Sequence, residues 1–325
     1  MDNLKTKYLG LELNSPLIVA SSGLTSDIDK LKKAEESGAG AVVLKSLFEE
    51  QIKLYGHTMR GGSSYPEADD YISYYTKSHS VDGYLNLIRS AKETLSIPVI
   101  PSINCVTDGE WIDFARTIAA AGADALEINA FFLPTSKDMK PDGVEKMYYS
   151  LVERVADILD IPVVLKLGYK FSNILYAINQ IYKRGARGVV LFNRFFEPDI
   201  DIEKMSIEPA SVFSTAADRR YVLRSVGMAS ASDIRIDISA STGVHSGDDA
   251  VRYLLAGADT VQVCSLLYHK GVEHLSVMNS EISEWMKRKG FSSVDSFRGS
   301  LNYLNFEKPV LYERTQFMKY FSSYE

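Results

Sequence analysis

The chain has 325 residues, of which 46% are hydrophobic and 24% charged, with a formal net charge of −6 and a pI near 5.5. That length suits one large α/β domain with insertions and a sizeable core. The acidic balance argues against nucleic-acid partners and against attraction to an anionic membrane.

Along the chain, four segments end a helix with a small-residue turn and launch an apolar strand: SGAGAVVLKS (37–46), AGADALEIN (121–129), RGARGVVLFN (184–193) and AGADTVQVCS (256–265). Each glycine accepts the left-handed conformation that closes a helix, and the β-branched run after it fits a buried parallel strand. Four further apolar strands interleave with these: PLIVASS (16–22), IPVIPSIN (97–104), IPVVLKL (161–167) and DIRIDISAS (233–241). Helix signals fill the gaps. Thr107 and Glu110 have capping-box spacing, Ser172 precedes NILYAINQIYKRG, and Ser246 opens GDDAVRYLLAGA. Eight strand–helix units with right-handed crossovers predict a closed (β/α)₈ TIM barrel spanning 1–325 as one domain. A doubly wound open sheet competes, but no GxGxxG follows the first strand.

Residues 46–85 and 194–232 depart from the repeat and are expected to form lid insertions over the C-terminal mouth. The tail 302–325 is aromatic and is expected to pack on the barrel or on another subunit. The longest apolar runs stop at about ten residues, too short to span a bilayer. The N-terminal stretch has no signal-peptide run. Two cysteines, Cys105 and Cys264, suit a reducing cytoplasm.

In a barrel the strand ends converge on one rim. Here they supply Ala20, Ser21, Ser22, Lys45, Ser46, Asn104, Cys105, Glu127, Asn129, Lys166, Asn193, Thr242, Gly243, Cys264 and Ser265. Packing needs none of these polar groups, and burying them costs free energy unless they are partnered. Their convergence predicts a polar ligand. The ASTGVHSG turn after strand seven and the CSLL turn after strand eight occupy the position where barrels hold phosphate, against backbone N–H groups and a helix start.

Lys45 and Lys166 lie inside apolar strands and each requires an anionic partner. That partner is either a ligand or a barrel carboxylate such as Glu127. A desolvated lysine would also suit Schiff-base chemistry, so a lyase or aldolase using Lys166 or Lys45 is an alternative. The two cysteines read by default as buried thiols, with Cys105 the more exposed to a helix N-terminus. The five histidines show no metal-ligand spacing, and no metal is expected.

These segments resemble the dihydroorotate dehydrogenase family over nearly the whole chain. SPLIVASS is similar to its first-strand flavin segment, VVLKS to its lysine–serine pair, LEIN to its E-L-N, VVLKL to its V-K-L, and LFN to the segment before its substrate asparagine. TGVHSGDDAVRYLLAGADTVQVCSLL is close to the family's G-G-I-x-x-G…G-A-x-x-V-Q-x-G-T-A-L phosphate block. The resemblance implies FMN as cofactor, bound by Ala20, Ser21, Ser22, Lys45, Ser46, Asn104, Asn129, Lys166, Thr242, Gly243, Cys264 and Ser265. It also implies a small-molecule substrate held by Lys45 and Asn193, and hydride transfer from that substrate to the flavin. A homodimer of the soluble branch, an electron acceptor of unidentified kind, and a role in pyrimidine biosynthesis follow the same likeness.

One loop departs from the family. After strand four the family reads N-x-S-C-P-N, or a serine variant, whose Cys or Ser is the catalytic base; here the loop reads N-A-F-F-L-P-T-S, so Phe132 or Leu133 stands at that position. Three replacements are open. Thr135 or Ser136 serves as a hydroxyl base, Cys105 takes the role, or the substrate differs and the aromatic pair Phe131 and Phe132 stacks against it. Loss of the base also leaves room for a non-catalytic FMN-binding subunit. YTKSHSVDGY stands where the family's substrate loop would be.

Overall fold

The computed structural model describes residues 2–53, 81–105, 107, 111–140, 142–194, 197–307 and 312. An N-terminal hairpin, β1 (Thr6–Tyr8) and β2 (Leu11–Leu13), precedes a run of parallel strands and helices. In order these are β3 (Leu17–Val19), α1 (Ile28–Glu36), β4 (Ala41–Val43), β5 (Leu47–Phe48), α2 (Val81–Thr94), β6 (Val99–Ile100), β7 (Ser102–Cys105), α3 (Ile112–Ala120), β8 (Leu126–Ala130) and α4 (Gly143–Ala156). Then follow β9 (Val163–Leu167), α5 (Ile174–Lys183), β10 (Gly188–Leu191), the hairpin β11 (Pro198–Asp201) and β12 (Ser206–Pro209), and α6 (Arg219–Ala229). The described elements end with β13 (Asp237–Ser241), α7 (Gly247–Ala256), β14 (Thr260–Val263), α8 (Ser265–Lys270) and α9 (His274–Lys289).

The main sheet has the order β5-β7-β8-β9-β10-β13-β14-β3-β4-β6. β4 and β5 are two halves of one strand, interrupted at 44–46. β6 and β7 are halves of the next, interrupted at Pro101, which has no N–H to give the ladder. Because β4 pairs with β6 and β5 with β7, the order returns to its own start. All pairings in this sheet are parallel, so the eight strands close into the expected TIM-type α/β barrel.

The glycines expected to close helices do so. Gly38, Gly122, Gly185 and Gly257 have φ between +89° and +106°. Two predicted caps shift. Asn173, not Ser172, caps α5 and accepts from Tyr176 N–H at 3.0 Å. Thr107 does not cap α3; its N–H donates to the buried Glu49 carboxylate at 2.9 Å, and Trp111 holds the N-cap position without a side-chain bond. Ser246 caps α7 as expected, accepting from Asp249 N–H.

Apolar packing divides in two. A shell cluster fills the space between strands and helices. A second cluster lines the barrel interior: Ile18, Ala41, Val43, Ile100, Ala125, Val164 and Val190, joined by Tyr8, Leu9 and Leu13 of the N-terminal hairpin. The hairpin therefore plugs one end of the barrel, held there by Leu9 N–H donating to the Asp237 carboxylate at 2.5 Å. Polar side chains accumulate toward the other end. Among the described residues no helix is long and apolar enough to cross a membrane.

Candidate functional site at the barrel mouth

Ladder register sets the site. Asn104 of β7 stands opposite Asn129 of β8, which stands opposite Lys166 of β9, so these three share one layer. Lys166 is 6% exposed. Its Nζ donates to Gln262 Oε1 at 2.9 Å and lies 3.7 Å from Glu127 Oε1. Gln262 Nε2 in turn donates to Glu127 Oε2 at 2.6 Å. Glu127 is 1% exposed, and its Oε1 accepts no hydrogen bond among the described residues. A buried ammonium is thus held by one carboxylate and one amide, the arrangement that a lysine inside an apolar strand requires.

Beside this triad a cavity of about 200 Å³ opens to the mouth. Of the residues expected at the rim, Ala20, Ser21, Lys166 and Asn193 line one part of it. Thr242, Gly243, Cys264 and Ser265 line another. Asn193 Nδ2 donates to Asn129 Oδ1 at 2.8 Å, which ties the ends of strands four and six together. Ser21 Oγ is 2.9 Å from Ser46 Oγ, and Ser46 Oγ is 2.8 Å from Ser102 Oγ. Lys45 is half-buried at the break before Ser46 and is not among the residues that line the cavity. Ser22 caps the turn Gly23–Thr25 and bonds the Cys264 thiol, whose pKa is raised, chiefly by burial.

Four groups converge at the turns after strands seven and eight. Gly243 N–H donates to Ser214 Oγ at 3.3 Å, Ser265 Oγ lies 3.1 Å from it, and His245 Nε2 lies 3.4 Å from it. Thr242 and Gly243 have φ of +80° and +74°. Thr242, the strained member, is fixed by its hydroxyl donating to Phe192 O at 2.9 Å and by Tyr253 hydroxyl donating to its carbonyl at 2.6 Å.

The candidates for a base lie elsewhere. Cys105 is fully buried in the shell core, and burial pushes its thiol pKa well up, with Glu49 adding to the shift. Phe132 is buried edge-on to Tyr148 with ring centroids 4.8 Å apart. Thr135 and Ser136 are exposed on the loop after β8, where Ser136 Oγ accepts from Asp138 N–H. None of the four lines the cavity. The segment YTKSHSVDGY, with His79, falls largely outside the described residues, as do His57, Glu110 and most of the tail.

Gln262, Ser214 and Arg194 line the cavity but were not anticipated. Gln262 carried a usable signal, since a polar side chain inside the apolar strand TVQV poses the same question as the two lysines. Ser214 and Arg194 sit in the long excursion after strand six, where no periodicity marks them.

The described part of that excursion holds the antiparallel hairpin β11–β12 and the segment 210–215. Phe213 packs on His269 and Tyr268 of α8 at centroid distances of 4.6 and 5.4 Å, which holds Ser214 at the cavity.

A family model described as dihydroorotate dehydrogenase matches residues 3–286. The chain belongs to the dihydroorotate dehydrogenase family. Members of this family are oxidoreductases acting on CH–CH groups. The chain is 29% identical to a putative dihydroorotate dehydrogenase A (fumarate) of Aeropyrum pernix, covering 91% of this chain and 96% of that protein. It is 30% identical to the catalytic subunit of dihydroorotate dehydrogenase B (NAD(+)) of Pyrococcus horikoshii, covering 91% and 97%. It is also 24% identical to the chloroplastic dihydropyrimidine dehydrogenase (NADP(+)) of Arabidopsis thaliana, covering 93% and 78%.

Proposed function

We propose that this chain is an FMN-dependent oxidoreductase that oxidises a CH–CH bond of dihydroorotate or a related small anionic ring compound. The observation that carries this reading is a cavity with a buried lysine on one wall and convergent phosphate-type donors on another. The donor set fits FMN. Gly243 N–H, the Ser265 and Ser214 hydroxyls and the His245 imidazole suit a phosphate. The small side chains of Ala20 and Ser21 leave room for the ribityl chain and ring, with Ser46, Asn104, Asn129 and Cys264 around them.

When bound, FMN would accept the hydride, and with it the two electrons, that leaves the substrate. The protein's part is electrostatic and positional. The Lys166 ammonium, 3.7 Å from Glu127 and oriented by Gln262, stabilises negative charge that develops beside it. Asn193 and Lys45 orient the substrate, and Asn129 fixes the Asn193 amide. A proton must also leave the neighbouring carbon. Thr135 and Ser136 are the loop hydroxyls closest in sequence to the family's base position, and they reach the mouth if the segment after β8 folds over it.

Within the described residues the segment 194–232 acts as a lid on a single barrel domain in this reading, two copies associate, and the protein works in the cytoplasm; residues 54–80 of the other expected lid lie outside the described residues. Fumarate and NAD+, which name two of the relatives, are the first acceptors to offer. The Schiff-base alternative finds no support from Lys166, whose amine is occupied by Gln262 and Glu127.

The test is spectroscopic. The purified protein should retain or take up FMN and lose the oxidised flavin band on anaerobic addition of dihydroorotate or a related dihydro-ring acid. A protein that refuses FMN, and that borohydride traps on a lysine with a carbonyl substrate, would instead be a lyase.

A further inference from the structure

Two cations line the cavity, and they are compensated differently. Lys166 has Gln262 at 2.9 Å and Glu127 at 3.7 Å. Arg194, the residue after Asn193, donates to the Ser211 carbonyl and makes no ion pair among the described residues. Glu197, three residues on, accepts instead from the Tyr169 hydroxyl at 2.8 Å. The guanidinium carries five N–H donors in a planar fork, so one bond to a carbonyl leaves most of the fork available. A carboxylate takes two parallel N–H donors from such a fork, a geometry that an ammonium cannot copy. In a partly enclosed cavity the attraction is stronger than in open water.

We propose that Arg194 determines substrate specificity by holding a carboxylate on the oxidisable ring, so that ring acids bind in preference to neutral rings. This rests on the flavin reading above. The other anion to be held, the cofactor phosphate, has its own donors in Gly243, His245 and Ser265 on the turns after strands seven and eight, with Ser214 of the strand-six excursion beside them. Arg194 stands apart in sequence from Gly243, His245 and Ser265, after strand six and beside the substrate asparagine. It is a binding residue and moves no proton.

The experiment uses the full chain loaded with FMN and follows the flavin spectrum during titration with two pairs of probes: orotate against uracil, and benzoate against benzamide. In the wild type the acid of at least one pair binds about tenfold or more tightly than its neutral partner, and Arg194→Gln removes most of that gap. Arg194→Lys keeps the charge without the fork and falls between the two. FMN affinity, and its ratio to riboflavin affinity, stays within about threefold in both variants, a change of well under the 1.4 kcal/mol that corresponds to a factor of ten.

Wild-type protein that takes up no flavin overturns the functional reading itself. Flavin-loaded wild type that prefers no acid in either pair overturns the role of Arg194 alone, as does a preference that survives in Arg194→Gln. A selective loss of FMN over riboflavin in that variant reassigns the residue to the phosphate and overturns the proposal.

Discussion

Cys105 and Lys166 both end up inside the protein, for opposite reasons. The Cys105 thiol is an apolar filler. It is fully buried, its pKa is pushed well up by burial, and it lies in the shell core with Trp111 and Phe132. It should therefore remain protonated and unreactive. Cys105→Ala is expected to change the rate of flavin reduction by less than about threefold while costing about 1 kcal/mol of stability, as small core truncations do. Iodoacetamide should not label Cys105 in the native protein. A rate loss of about a hundredfold would return Cys105 to the role of base. Lys166 was readable from sequence because a cation inside VVLKL has no other way to satisfy itself. Glu127 in LEIN was a readable partner for the same reason. Arg194 was not readable, since an arginine in a long polar loop is ordinarily a solvated surface residue. The aromatic Phe132 in N-A-F-F-L-P suggested a stacking surface, but its ring is spent on Tyr148.

At the scale of elements, close backbone approach and buried carboxylates set the constraints. A Cβ added at Gly40 would lie 1.9 Å from the Ser15 carbonyl oxygen and 2.9 Å from its carbon. Backbone cannot yield as a flexible side chain does, so Gly40→Ala should cost about 2–3 kcal/mol, read as a lowered denaturation midpoint.

At the plugged end of the barrel, Asp259 accepts from Ile238 N–H at 2.7 Å and pairs with Arg298 at 2.7 Å. Burial dominates, and its carboxyl pKa is pushed up to about 6. The folded state thus binds this proton more tightly than the unfolded chain does. The resulting stabilisation is complete below the usual carboxylate range and is lost as pH rises through about 6. The stability difference between wild type and Asp259→Asn should accordingly fall between about pH 4 and about pH 7. A difference that grows with pH would contradict this.

The eight barrel strands were legible because long β-branched runs and glycine turns agree with each other. The hairpins β1–β2 and β11–β12 were not. Their strands have three or four residues, and every residue of β12 is exposed, so no alternation of burial marks it. The Thr107 cap failed because the buried carboxylate of Glu49, in the helical segment just after β5, takes the same groups.

For the described residues as a whole, closure of the sheet and plugging by the hairpin leave one open end, and polar side chains from the strand ends collect there. That asymmetry is what turns a common barrel into a candidate for redox chemistry. Family membership supplies the reaction class, and the mouth supplies the residues that would carry it.

The central claim is that Lys166, poised by Glu127 and Gln262, stabilises charge on a flavin reduced by a ring acid. Its most direct test is anaerobic single-turnover reduction of the FMN-loaded protein by dihydroorotate and related dihydro-ring acids, in wild type and in Lys166→Met. The account predicts that one of these acids bleaches the wild-type flavin. It also predicts that Lys166→Met still holds FMN and is reduced on the order of a hundredfold more slowly. An oxidised flavin that no such acid bleaches, or an unchanged rate in Lys166→Met, would contradict it.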